Sequence, residues 1–154
     1  MFQELRRQSY SAVTALGLLA VLGLPDLGGL LGVGEEPEST PPTAAQWQAM
    51  GKTHSPARTL RAGCRDYAYT YEVKPPGGTD WTLQTFLKGP KGRNLGSGVL
   101  TSNEDRRSGT SRFRICRSNT TYGTFTIRAK LAYKDWPEEY SGWLRNSTFT
   151  MRRP

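Results

Sequence analysis

The chain has 154 residues, 36% of them hydrophobic and 10% aromatic, with 17 Gly and 10 Pro. That is enough for one hydrophobic core and too little for two, and a mix so often broken by Gly and Pro excludes long helices inside the folded part. A formal net charge of +8 excludes an acidic, cation-gathering protein and directs attention to anionic partners.

Residues 1–10 are polar and carry Arg6 and Arg7, and residues 12–24 form an uncharged apolar stretch. A positive flank before a short apolar core describes a secretory signal peptide. The competing reading is an uncleaved single-pass anchor, because Leu27 to Val33 resume the apolar run after Pro25 and Asp26, and a spanning helix needs about 20 apolar residues. Gly32 and Gly34 are the best small-residue pair for processing. The paired arginines also suggest twin-arginine export, although Ser9 and Tyr10 stand where that signal carries apolar residues. Residues 1–34 are therefore read as a signal peptide or membrane anchor with an apolar helix. The expected location is secreted, or the outer face of the cell envelope, with membrane contact only through residues 12–33 if they are uncleaved.

Residues 35–63 open with Glu35, Glu36 and Glu38 among Pro37, Pro41 and Pro42, a composition that cannot bury a core and reads as a flexible tether. Inside it, Thr43 followed by helix formers up to Gly51 predicts a short helix over 43–50, whose Trp47 and Met50 dock on the domain or serve as a partner motif. His54, the single histidine, has no acid or cysteine at ligand spacing and reads as a solvated loop residue.

Residues 64–153 carry the clearest periodicity. Tyr67, Tyr69, Tyr71 and Val73 alternate with Asp66, Thr70 and Glu72, and Phe125, Ile127, Ala129, Leu131 and Tyr133 alternate with Thr124, Thr126, Arg128, Lys130 and Lys134. This is the pattern of antiparallel strands with one wet face. Shorter candidates lie at 81–88, 96–101, 111–116 and 142–151, separated by Pro, Gly and Asn turns such as Pro75-Pro76-Gly77-Gly78 and Gly89-Pro90-Lys91-Gly92. Strands at this spacing predict an all-β fold, an antiparallel six- to seven-stranded β-sandwich of immunoglobulin-like type, with Trp81 in its core.

Cys64 and Cys116 are the two cysteines, and behind an export segment they read as one structural disulfide. Closing a loop of about fifty residues is worth roughly 4 kcal/mol in the chain-entropy model. Cys64 shares the wet register of Asp66, and Cys116 that of Arg112 and Arg114, so the bond is expected to clamp strand ends or an outer face and not the centre of the sandwich.

The segment G-T-F-T-I-R-A-K-L at 123–131 resembles the glycine-led penultimate strand of bacterial immunoglobulin-like and pre-peptidase C-terminal-like sandwiches. With Y-x-Y-x-V at 69–73, W-T-L at 81–83, G-P-K-G at 89–92 and F-R-I-C-R-S at 113–118, the chain resembles small exported β-sandwich domains of actinobacterial type, over about residues 64–153. The resemblance implies a strand framework and no catalytic or ligand-binding residue.

From Cys64 onward there are sixteen Lys and Arg against eight Asp and Glu, whereas the earlier part sums to zero. Candidate anion-binding residues are Lys88, Lys91 and Arg93 around one turn, Arg106, Arg107, Arg112 and Arg114 around the next, and Arg128 and Lys130 on the long strand. An immunoglobulin-like strand order puts Arg112 and Arg128 in opposite sheets and disperses the charge, while a meander gathers it on one face. The tyrosines whose rings could stack on bases, Tyr67, Tyr69 and Tyr71, lie on the core face, which argues against nucleic acid. No metal set, cofactor motif or catalytic constellation is present: His54 falls in the tether and both cysteines are engaged. Glu104-Asp105 and Glu138-Glu139 read as solvated loop pairs, and the sequons at Asn119 and Asn146 as edge and turn residues. The expected function is a non-catalytic binding module for an anionic envelope polymer or a surface protein; the alternative is a passive structural domain of the cell surface.

Overall fold

A computed structural model describes residues 40–154. The signal or anchor expected over 1–34 and the acidic start of the tether at 35–38 lie outside the described residues. In chain order the elements are helix α1 (Ala44–Ala49), then strands β1 (Gly51–His54), β2 (Arg58–Thr59), β3 (Cys64–Val73), β4 (Trp81–Lys88), β5 (Asn94–Thr101), β6 (Ser108–Cys116), β7 (Gly123–Asp135), β8 (Glu138–Trp143) and β9 (Ser147–Arg152). A single 3-10 turn, Arg117–Asn119, follows β6.

The strands form two sheets. The smaller has the order β1-β3-β6, and the larger β2-β9-β7-β4-β5, with β8 also paired to β7. Every pairing is antiparallel except β2 with β9. The two alternating stretches of the sequence become β3 and β7, because period-two patterning lets a strand bury one face and wet the other. Tyr69, Tyr71, Val73, Phe113 and Ile115 of the small sheet thereby meet Leu83, Leu87, Phe125, Ile127, Ala129 and Leu131 of the large one. Each large apolar side chain so buried contributes about 1.5 to 3 kcal/mol. Tyr69 stacks on Phe113 with ring centroids 4.5 Å apart. Its hydroxyl meets Thr85 Oγ1 of the opposite sheet at 2.9 Å, so neither buried polar group is left without a partner. Trp81 is buried in the same core.

More strands are present than the six to seven expected, for two reasons. The stretch 142–151 is two strands: after Trp143 the chain turns Leu144 into the core, and its N–H donates to the Ala129 carbonyl at 2.9 Å. The second reason corrects the tether expected over 35–63, since residues 43–63 are built into the body. Thr43 Oγ1 accepts from the Gln46 N–H, and Gln46 Oε1 accepts from the Thr43 N–H at 2.7 Å, a capping box that starts α1. Trp47 is buried against Tyr133 and over Gly142, where the missing side chain leaves its ring a seat. Beyond α1, β1 pairs with β3, and Leu60 is buried with its N–H donating to the Arg152 carbonyl.

The disulfide joins Cys64 to Cys116, which are direct partners on β3 and β6. Cys64 is exposed and Cys116 half-buried. The bond thus lies within one sheet and ties two strand ends, as the register argument requires, unlike the inter-sheet bond of antibody domains.

Candidate functional site

β1 covers β3 only from Thr70 to Val73, since its last residue, His54, stands opposite Thr70. Past His54 the chain leaves the small sheet. Pro56 has no N–H to continue a ladder, and the segment crosses to the rim of the large sheet, where β2 pairs in parallel with the end of β9. The crossing leaves residues 64–68 of β3 uncovered on that side and opens a cleft of about 630 Å³.

Five arginines line this cleft: Arg58, Arg61, Arg65, Arg112 and Arg152, with Asp66, Tyr67 and Thr59 among the other lining residues. Different elements hold them. Arg58 and Arg152 sit on the paired rim, where Arg58 faces Met151 and Thr59 faces Arg152. Arg112 stands opposite Ala68 on β6, and Arg65 opposite Ile115. Tyr67 ties the two walls together: its hydroxyl accepts from the Arg61 N–H at 3.0 Å and donates to the Thr59 carbonyl at 3.4 Å. The disulfide fixes the start of β3 next to Arg65.

The cleft is electrostatically one-sided. Among the described residues the ion pairs are those of Glu72 with Lys52 and Lys74, each at 3.0 Å, so none of the five guanidiniums is matched by a carboxylate. Asp66 is the one acid in the lining. Guanidinium stays charged across the physiological range and presents a fork of donors that fits carboxylate or phosphate oxygens in pairs. An anion entering here relieves the mutual repulsion of like charges, and that is the chemistry the arrangement offers.

Groups with shifted acidity lie elsewhere. Hydrogen bonds from Lys52 and Lys74 hold the Glu72 carboxyl below the usual range. Burial raises the hydroxyls of Tyr71 and Tyr133, with Asp105 and Tyr69 adding to the first and Asp135 and Tyr140 to the second.

Of the candidates read from sequence, only Arg112 lines the arginine cleft. Arg114 is exposed on the neighbouring wet position of β6, opposite Asp66. Lys91 and Arg93 line a smaller hollow of about 190 Å³ with Ser118, Asn119, Thr120 and Thr121. Lys88, Arg128 and Lys130 share the outer face of the large sheet, where Arg128 stacks over Trp143 at 4.1 Å and Trp143 meets Phe86. Arg106 and Arg107 lie in the loop between β5 and β6, and Arg107 donates to the carbonyls of Pro75 and Pro76. The strands of Arg112 and Arg128 belong to different sheets, so no single face collects the nine.

What gathers is an end, not a face. The registers put the last residues of β4, β6 and β9 at the same end of the body as the first residues of β3, β5 and β7. Arg58, Arg61, Arg65, Lys88, Lys91, Arg93, Arg114, Arg117, Arg152 and Arg153 cluster there, and Asp66 is the one carboxylate among the described residues of that end. Asp80, Glu104, Asp105, Asp135, Glu138 and Glu139 occupy turns and strand ends at the opposite pole, where Arg106, Arg107 and Lys134 are interleaved with them. Sequence reasoning missed Arg58, Arg61, Arg65 and Arg152. The available signal was Arg65, which continues the inward register of Tyr67 and Tyr69 as a charged residue.

No family model, curated protein or solved structure matches the chain.

Proposed function

We propose that the protein is an exported, non-catalytic binding module whose arginine cleft takes an anionic chain. The observation that carries the reading is the convergence of five guanidiniums from four strands and a loop on one cleft with a single carboxylate. A merely solvated surface interleaves both signs. The disulfide suits an oxidising compartment, and the positively flanked apolar stretch at residues 6–24 supports the same location. The ligand class is a polymer or segment with repeated carboxylate or phosphate groups at the cell surface.

Titration calorimetry of the full chain with polyphosphate and with poly-glutamate tests this. Both are expected to bind at low salt and to weaken steeply as salt rises. Replacing Arg58, Arg65 and Arg112 by Ala should abolish binding, while replacing Lys130 and Lys134 on the outer face leaves it intact. Equal losses from both sets, or no binding of either polymer, would leave the module as a passive structural domain.

A further inference from the structure

The cleft has a second property besides charge, which is an open sheet edge. In an antiparallel ladder, alternate residues point their N–H and C=O to one neighbour and the next residues to the other side. Val73 donates toward β6, to the Arg107 carbonyl, and Lys74 donates toward the β1 side, to the Met50 carbonyl. Continuing that alternation back along β3, Ala68, Asp66 and Cys64 point their backbone groups away from β6. The Ser55 hydroxyl takes the Ala68 carbonyl at 3.3 Å, which confirms the direction. Past that contact no strand pairs with β3 on this side among the described residues.

We infer that the cleft receives an extended acidic peptide, which adds as a strand to the open edge of β3 at residues 64–68. This rests on the anion-binding reading and names its ligand. Five residues of strand span about 13 Å at roughly 3.3 Å per residue, enough for main-chain bonds to the N–H and C=O of Asp66 and to the Ala68 N–H. In this mode the backbone supplies affinity, and alternate side chains supply specificity. A residue of the added strand directly opposite Arg65 projects on the same face as Arg65, toward the guanidiniums of Arg58, Arg61 and Arg152. Its neighbours project toward the Asp66 side. The Arg65 side holds no carboxylate, whereas on the other face Asp66 stands among Arg114 opposite it and Arg112 opposite Ala68, so the preferred ligand alternates, with its acidic residues on the Arg65 side. A second copy of this chain is the wrong occupant, because its own edge brings a second set of arginines.

The test uses the full chain and a short peptide alternating Glu with Val and Thr. Its partners are the same peptide N-methylated on the bonds that face β3, a peptide of equal composition with its Glu residues in one block, and polyphosphate. The alternating peptide should bind about tenfold or more tighter than the methylated one, since two lost backbone bonds each carry part of such a ratio. It should also slow amide hydrogen exchange at Asp66 and Ala68. D66N should tighten peptide binding. D66P removes the same charge together with the edge donor, whose N–H the β6 ladder does not use, and should lose the difference between methylated and unmethylated peptide. Methylated and blocked peptides binding as well as the alternating one, with polyphosphate also bound, would overturn strand addition while leaving the anion cleft standing. Binding of neither peptide nor polyphosphate would overturn both. The peptide arm needs no variant to fold.

Discussion

Removing the bond between Cys64 and Cys116 should cost this domain a large part of its stability. The two residues are 52 apart in sequence, and cross-linking them restricts the unfolded chain by about 14 cal/mol/K, or about 4 kcal/mol at 25 °C in the loop-closure model. A domain of this size is stable by only about 5 to 15 kcal/mol. Cys64 is exposed and Cys116 half-buried, so the variant with Ser at both positions leaves no core cavity, and nearly all of the loss belongs to the unfolded state. With a urea slope of about 2 kcal/mol/M, the unfolding midpoint of the Ser variant should fall by about 2 M, read from tryptophan fluorescence. Reducing the native protein should give the same shift. In the folded Ser variant, exchange should accelerate at Arg65 and Tyr67, next to the freed strand ends, far more than at Tyr71 and Val73, which β1 and β6 flank. A midpoint shift under about 0.5 M would rule out loop entropy as the source of stabilisation, because it would then have to be offset by something the fold does not display.

Gly142→Ala should destabilise by about 1 to 3 kcal/mol in thermal unfolding, because the new Cβ collides with the Trp47 ring; Trp47→Ala should cost about 3 to 5 kcal/mol, whereas a free tether would register neither change. For polyphosphate, neutralising five arginines predicts a slope of roughly −3.5 in log affinity against log salt, and each Arg→Ala in the cleft should lower its magnitude by about 0.7. Glu72 is held below the usual carboxylate range by Lys52 and Lys74, so its contribution to stability is present above the unfolded value and lost as pH falls through the depressed folded one. Glu72→Gln should flatten that part of the acid limb in denaturation measured against pH. Tyr71 and Tyr133 are raised by burial, so their contribution is complete below the ordinary tyrosine range and lost as pH climbs through the folded values, and Tyr133→Phe should soften that alkaline loss.

Strand alternation was legible wherever one face is wet and the other buried, which covers β3 and β7 and, through their parities, the placement of the disulfide. The short helix after Thr43 and the docking of its Trp47 were legible too, but the incorporation of residues 51–63 into the sheets was not, because their fate is decided elsewhere. β2 is a two-residue strand with no periodicity of its own. The cleft stayed hidden for the same reason. Arg58, Arg61, Arg65, Arg112 and Arg152 are scattered over most of the domain, and only the crossing from β1 to the β9 rim brings them together. Candidates grouped by adjacency, such as Arg106 with Arg107, went instead to turns, where Arg107 is spent on proline carbonyls.

The separation of charge between the two poles of the body also bears on how the molecule presents itself. At one end of the described body the guanidinium and ammonium groups face a single carboxylate, while the other end mixes both signs, so the body carries a dipole along its strands. A freely diffusing copy would swing its cationic end toward any negatively charged surface within a Debye length.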